Sequence, residues 1–126
     1  MKRSYYFWVA AVLALAFGLL MFFAPAFAAT QFKLDGSPAT ATVFRVLGSV
    51  MLGVALLNFL VRNHAMSETL KAVLWANVAI HGIGFVGDLW SVQLDDIAFA
   101  GVAPGLVAHL IVLIGGAYYL WRPSAK

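Results

Sequence analysis

The chain has 126 residues, 63% of them hydrophobic and 10% charged, against about 45–50% and about 25% in a soluble domain. A water-soluble fold of this makeup would lack polar residues to wrap its core, and the length leaves no room for a separate soluble domain. The net charge of +3 comes without a basic stripe, which argues against nucleic acid, and the absence of Cys removes thiolate nucleophiles, iron–sulfur clusters and Cys-ligated zinc.

Four apolar runs follow one another over residues 5–29, 42–61, 70–90 and 97–121. Each is near or above the ~20 residues a helix needs to cross ~30 Å of hydrocarbon. A bilayer core offers the backbone no water, so such runs must close their own hydrogen bonds, as helices do. The expected fold is all-α: a four-helix, up-down membrane bundle formed as one unit from residues 1–126.

The first run follows Met1-Lys2-Arg3 and ends near Ala26-Phe27-Ala28, the pattern of a cleavable signal. Its apolar part, Tyr5 to Phe23, exceeds the roughly 7–15 residues of a signal core, so it reads as a retained anchor. Ala10, Ala14 and Gly18 recur every four residues. Small residues mark helix contacts in membranes, because close approach there replaces the hydrophobic effect. Gly48 and Gly53 lighten the second helix in the same way. Ser37-Pro38 supplies an N-cap candidate and a Pro suited to the first helical position.

On the third helix Asn77, His81, Gly84 and Asp88 are spaced four, three and four residues apart. At helical periodicity they fall within about 60° of one another, as a polar stripe with a gap at Gly84. Asp95-Asp96 fits a cap for the fourth helix, favouring its positive end. That helix carries Gly101, Gly105 and Ala108 as a further contact stripe. Pro104 allows two versions of it: a kinked helix starting soon after Asp96, or a shorter one opening at Pro104.

Basic residues choose the side of the membrane. Lys2, Arg3, Arg62, Lys71, Arg122 and Lys126 place both termini and the second loop in the cytoplasm. Tyr5, Tyr6, Trp8, Tyr118, Tyr119 and Trp121 fit the inner interface and Trp90 the outer one. The expected location is a bacterial cytoplasmic membrane.

Charged groups inside a span cost at least ~2.5 kcal/mol each near its centre and usually face the bundle interior in pairs. Arg45 enters the second helix at a depth similar to Asp88, so an Arg45–Asp88 ion pair is expected, either as a helix fastener or as part of a pocket. Asn58 lies about 140° from Arg45 around that helix and is not placed on the same face. His81 and His109 share a depth in the longer version of the fourth helix. Facing histidines can relay protons, line a quinone site or hold haem b axially, with glycines at 82, 84 and 105 leaving space for a flat ring. The plainer alternative is that each histidine bonds a neighbouring carbonyl. Apart from such haem ligation, no metal site is expected. There is no G-x-S-x-G, H-E-x-x-H, P-loop or G-x-G-x-x-G context, so no catalytic residue is assigned.

Phe22-Phe-Ala-Pro25 closing the first helix, Phe44-Arg-Val-Leu-Gly48 opening the second and a Gly-rich, His-containing third helix carry a family likeness. In these the chain resembles the DoxX-like group of small four-helix bacterial membrane proteins. The resemblance implies a setting in quinone-linked sulfur oxidation or a membrane redox complex, and it carries over Arg45 and Gly48 as a structural motif. The chain has no thiol of its own for sulfur chemistry.

Two function classes follow. The first, favoured on the sequence, is a non-catalytic accessory protein whose helix faces pack against another membrane protein, a second copy or lipid. The second is a small redox, quinone- or haem-binding protein using Arg45, Asp88, His81, His109 and Asn77 as a polar pocket. Four helices give little room for alternating-access transport without oligomerisation.

Overall fold

The computed structural model describes residues 2–94 and 97–122. Its elements are α1 (Arg3–Phe23), α2 (Pro25–Gln31), α3 (Pro38–Val61), α4 (Glu68–Gln93) and α5 (Phe99–Trp121), with no strand among the described residues. α1, α3, α4 and α5 are each long and apolar enough to cross a bilayer. They form the four-helix bundle of a polytopic membrane protein.

The boundaries differ from expectation at one important place. The first apolar run is not one helix through residue 29. It breaks at Ala24, whose φ of −126° and ψ of 53° leave the helical region. Pro25 has no N–H to continue the ladder and disfavours helical geometry in the residue before it, so it opens a separate seven-residue helix instead. α3 starts earlier than residue 42, because Ser37 caps it by accepting from the Thr40 N–H at 3.3 Å, with Pro38 in the first turn. α4 is likewise longer than 70–90, capped by Ser67 through the Leu70 N–H at 3.2 Å. α5 takes the longer of its two versions, running through Pro104 from Phe99. The expected cap at Asp95-Asp96 lies outside the described residues.

The long helices alternate in direction. α1 and α3 run antiparallel: Trp8 meets Phe59 at one end, and Gly48 meets Phe22 at the other. A Cβ on Gly48 would sit 2.7 Å from the Phe22 backbone nitrogen and 2.9 Å from the Gly18 carbonyl oxygen. These backbones touch because no side chain separates them. α4 and α5 are antiparallel too, with His81 against His109 near the middle and Trp75 near Trp121 towards one end. α1 packs on α5 where Tyr6 covers Gly115 and Gly116. α2 rests on α5, with the Gln31 carbonyl directly against Gly101. Ala10 and Ala14 are buried, as a contact stripe requires, whereas Gly53 is exposed and has no atom within 4 Å of an added Cβ. Gly53 therefore makes no helix contact within the chain.

Two apolar clusters hold the ends of the bundle. At the end bearing Lys2 and Arg122, Tyr6, Phe7, Ala10, Leu70, Leu74, Val112 and Tyr119 pack together. There the Arg3 guanidinium donates to the His64 carbonyl at 2.6 Å, and Arg62 lies over the Phe59 ring at 3.7 Å. At the α2 end the cluster is Met21, Ala28, Ala29 and Phe44. Between the two clusters the helices do not fill the space.

Candidate functional site

α4 places His81 and Asp88 on its inward face, two turns apart, and α5 brings His109 between them. The Nδ1 atoms of His81 and His109 are 2.9 Å apart, within hydrogen-bond distance, and the rings meet edge to face with centroids 5.1 Å apart. His109 Nε2 lies 3.6 Å from Asp88 Oδ2. The three side chains therefore form one chain of polar groups across the α4–α5 contact. A neutral His109 that turns its Nε2–H towards Asp88 has an accepting Nδ1. His81 then donates from Nδ1 and keeps its Nε2 as an acceptor.

Gly84 explains how His109 fits. A Cβ there would be 2.7 Å from His109 Cε1 and 2.9 Å from Nε2. The gap read in the α4 stripe is thus filled by imidazole. Gly105, one turn before His109 on α5, faces Asp88 Oδ2, which would lie 3.5 Å from an added Cβ. Gly82 faces Leu113 instead.

This geometry does not fit haem held between the histidines. Axial ligands must stand on opposite faces of a macrocycle with the iron between them. Here the two rings touch each other, and the glycine space at position 84 is taken by His109 itself. Among the described residues no group of three or more His, Cys, Asp or Glu is placed to hold a metal ion.

The histidine–aspartate chain forms one wall of a cavity of about 520 Å³ between the α1–α3 and α4–α5 pairs. The remaining walls are almost entirely apolar, including Phe17, Met21, Phe44, Met51 and Val54. An apolar pocket with a few convergent polar groups is the usual form of a small-molecule site, and the volume lies within the usual ~300–1,000 Å³.

Arg45 is not part of this site. It is exposed, and neither of the salt bridges among the described residues includes it. The expected Arg45–Asp88 pair is replaced by His109–Asp88. α3 turns Phe44 and Gly48 towards α1 and α2, which leaves Arg45 on the outside, and α3 does not pack along α4. Equal depth was legible in the sequence, but depth alone does not bring two side chains together.

Asn77 is buried on the α4 stripe but serves a different contact. Its amide nitrogen donates to Asn58 Oδ1 at 2.7 Å, and the Asn58 amide donates back at 3.3 Å and also to the Val54 carbonyl at 2.9 Å. This reciprocal pair ties α3 to α4 on the Lys2 side of the cavity. The Tyr6 hydroxyl lies beside Asn77 and Gly116, buried and without a hydrogen bond of normal geometry. The sequence reading missed both Asn58 and Tyr6 as interior polar groups. The available signal was that Asn58, the lone amide of the second helix, matches Asn77 in depth.

Outside the spans, the Asp35 carboxylate accepts from Thr40 Oγ1 at 2.6 Å and Ser37 Oγ at 3.0 Å. These hydroxyl donors, Thr40 first, hold its pKa below the ordinary carboxylate value.

No protein-family model, curated protein or solved structure matches the chain.

Proposed function

We propose that the protein binds a membrane-dissolved quinone-class molecule, with the ring in the cavity and its oxygens at His81, His109 and Asp88. The observation that carries this reading is that the apolar cavity and the histidine–aspartate chain coincide. A quinone ring is flat and apolar, and its carbonyl oxygens need donors that hydrocarbon cannot supply. An imidazole N–H meets that need. The reduced form instead offers hydroxyl groups, which imidazole nitrogen or carboxylate accepts. Histidine can also take up and release a proton, as a quinone/quinol pair requires. The DoxX-like resemblance supports a redox setting, and the basic residues Lys2, Arg3, Arg62, Lys71 and Arg122 support cytoplasmic termini in a bacterial inner membrane.

Titration of decylubiquinone against the protein in lipid nanodiscs tests the reading. Saturable binding is expected, weakened about tenfold or more by His109→Ala and by Asp88→Asn. Absence of saturable binding, or wild-type affinity in both variants, rejects it.

One observation favours a second reading, an accessory role against another membrane protein or a second copy. Gly53 on α3 and Gly87 on α4 are exposed, and neither has an atom within 4 Å of an added Cβ. Outward small residues of this kind allow a neighbouring helix to approach. Native mass spectrometry from mild detergent would show a companion lost in Gly53→Leu. A monomer in both forms rejects this role.

A further inference from the structure

We infer that the ligand of this cavity is a tailed amphiphile whose head sits inside while its tail leaves sideways into the bilayer between α3 and α4. The inference rests on the cavity being a ligand site and names the class of molecule it takes.

Contacts narrow the other routes out of the cavity, and away from the α3–α4 seam Leu34 on the α2–α3 loop is the one exposed large hydrophobic that also lines it, at 39%. α1 and α3 touch backbone to backbone at Gly18 and Gly48, and His109 fills the Gly84 gap between α4 and α5. Tyr6 seals α1 against Gly115 and Gly116, and the Gln31 carbonyl seals α2 against Gly101. Towards the Lys2 end the Asn58–Asn77 pair crosses beneath the cavity, with Leu70 and Leu74 packed on Tyr6 and Phe7 below it. Towards the α2 end the Phe32 ring packs tilted against Phe44, with centroids 5.7 Å apart.

The α3–α4 seam is different. The two helices do not pack along their length above the asparagine pair. Leu47 and Val50 of α3 and Ile80 of α4 line the cavity and are nevertheless 46%, 57% and 48% exposed. Of the four exposed large hydrophobics that also line the cavity, three lie together at this seam, which marks it as the wider mouth. This mouth lies within the apolar span and is lined by aliphatic side chains, so what it meets is acyl chain and not water.

Size and chemistry then restrict the ligand. A cavity of about 520 Å³ holds a drug-sized head. It does not hold a long isoprenoid or acyl chain as well, and an aliphatic mouth gives that chain a path whose solvent is the bilayer itself. The polar end is the one retained, because His109 and Asp88 are on the wall of the cavity and the mouth has no polar side chain among Leu47, Val50 and Ile80.

Photolabelling in nanodiscs tests this with two tailed probes: a decyl-benzoquinone and a fatty acid, each with a diazirine at the tail end. Labelled residues are read by peptide mass spectrometry. Label is expected at Leu47, Val50 and Ile80. The double variant Val50→Trp/Ile80→Trp should lower cavity occupancy by the decyl-benzoquinone about tenfold. Tail-less tetramethylbenzoquinone should stay within about twofold of its wild-type occupancy. The variant's helical content and elution volume confirm its fold, and Ile80→Phe provides a milder block. Fatty-acid label at the seam without quinone binding upholds the tailed-ligand inference and rejects the quinone reading. Label from neither probe at the seam, tail label at Leu34 or Ile97 instead, or unchanged decyl-benzoquinone occupancy in the folded double variant overturns the inference.

Discussion

The α1–α3 and α4–α5 pairs each close on a glycine, but different atoms occupy the space it leaves. At Gly48 the space is taken by the backbone of α1 itself, so main chain meets main chain with no side chain between them. At Gly84 it is taken by the His109 ring, so the contact is polar and one side of it faces a cavity. The same residue type therefore builds a fastener in one pair and a binding wall in the other. Small residues bring membrane helices together, and what fills the gap decides whether the contact is structural or chemical.

Substitution at the two glycines tests this contrast most directly. Gly48→Ala puts a methyl group against main-chain atoms that cannot rotate away. It should destabilise the protein by about 1–3 kcal/mol in reversible unfolding from detergent, and Gly48→Leu by more. Gly53→Ala on the same helix, at an open position, should be neutral or stabilise by up to about 1 kcal/mol through helix propensity. Equal losses at positions 48 and 53 would refute the fastener role.

The asparagine pair probes the join between the two halves. Asn58→Ala strands the Asn77 amide in the interior, and about 1 kcal/mol should be lost, within the range for polar contacts between membrane helices. The Asn58→Leu/Asn77→Leu double variant should lose less than the summed single losses, because no polar group is then left unpaired. Additivity would show that the pair is not coupled.

Gly84→Ala meets a side chain and not a backbone, so the His109 ring can swing aside. Its stability loss should fall below that of Gly48→Ala, at about 1 kcal/mol or less. Decylubiquinone binding should nevertheless weaken, since the displaced ring no longer bridges His81 and Asp88. A large stability loss with binding intact would reverse the roles assigned to the two glycines.

The smallest expected effect lies in the α2–α3 loop, outside both pairs. Asp35 is held below its ordinary pKa by the Thr40 and Ser37 hydroxyls. A carboxyl more acidic in the folded state adds stability that is full above the ordinary carboxylate pKa and is lost as pH falls through the lowered value. The thermal midpoint should therefore fall slightly more with acidification in the wild type than in Asp35→Asn. Identical pH profiles would remove this contribution.

Much of the site was legible from periodicity. His81, Gly84 and Asp88 recur at helical spacing in an apolar helix, so their common face follows from geometry local to one segment. Their partners were less accessible. Arg45 has the depth of Asp88 but points away from it, while Asn58, about 140° round the same helix, is the side chain that faces α4. The break at Pro25 was half visible: proline marks the place, yet the new helix beyond it gains from packing of Ala28 and Ala29 in the α2-end cluster.

Hydrophobicity and length were enough to establish four spanning helices, because a backbone in hydrocarbon has no alternative to bonding itself. Capping by Ser37 likewise needed nothing beyond its neighbours. Which helix meets which, and through which atoms, depends on complementary surfaces of distant segments. The histidine pair and the cavity it lines exist because α1–α3 and α4–α5 close tightly within themselves while α3 and α4 stand apart above the asparagine bridge that joins them. That difference is set by the fit of side chains into gaps on another helix, a property no single segment carries.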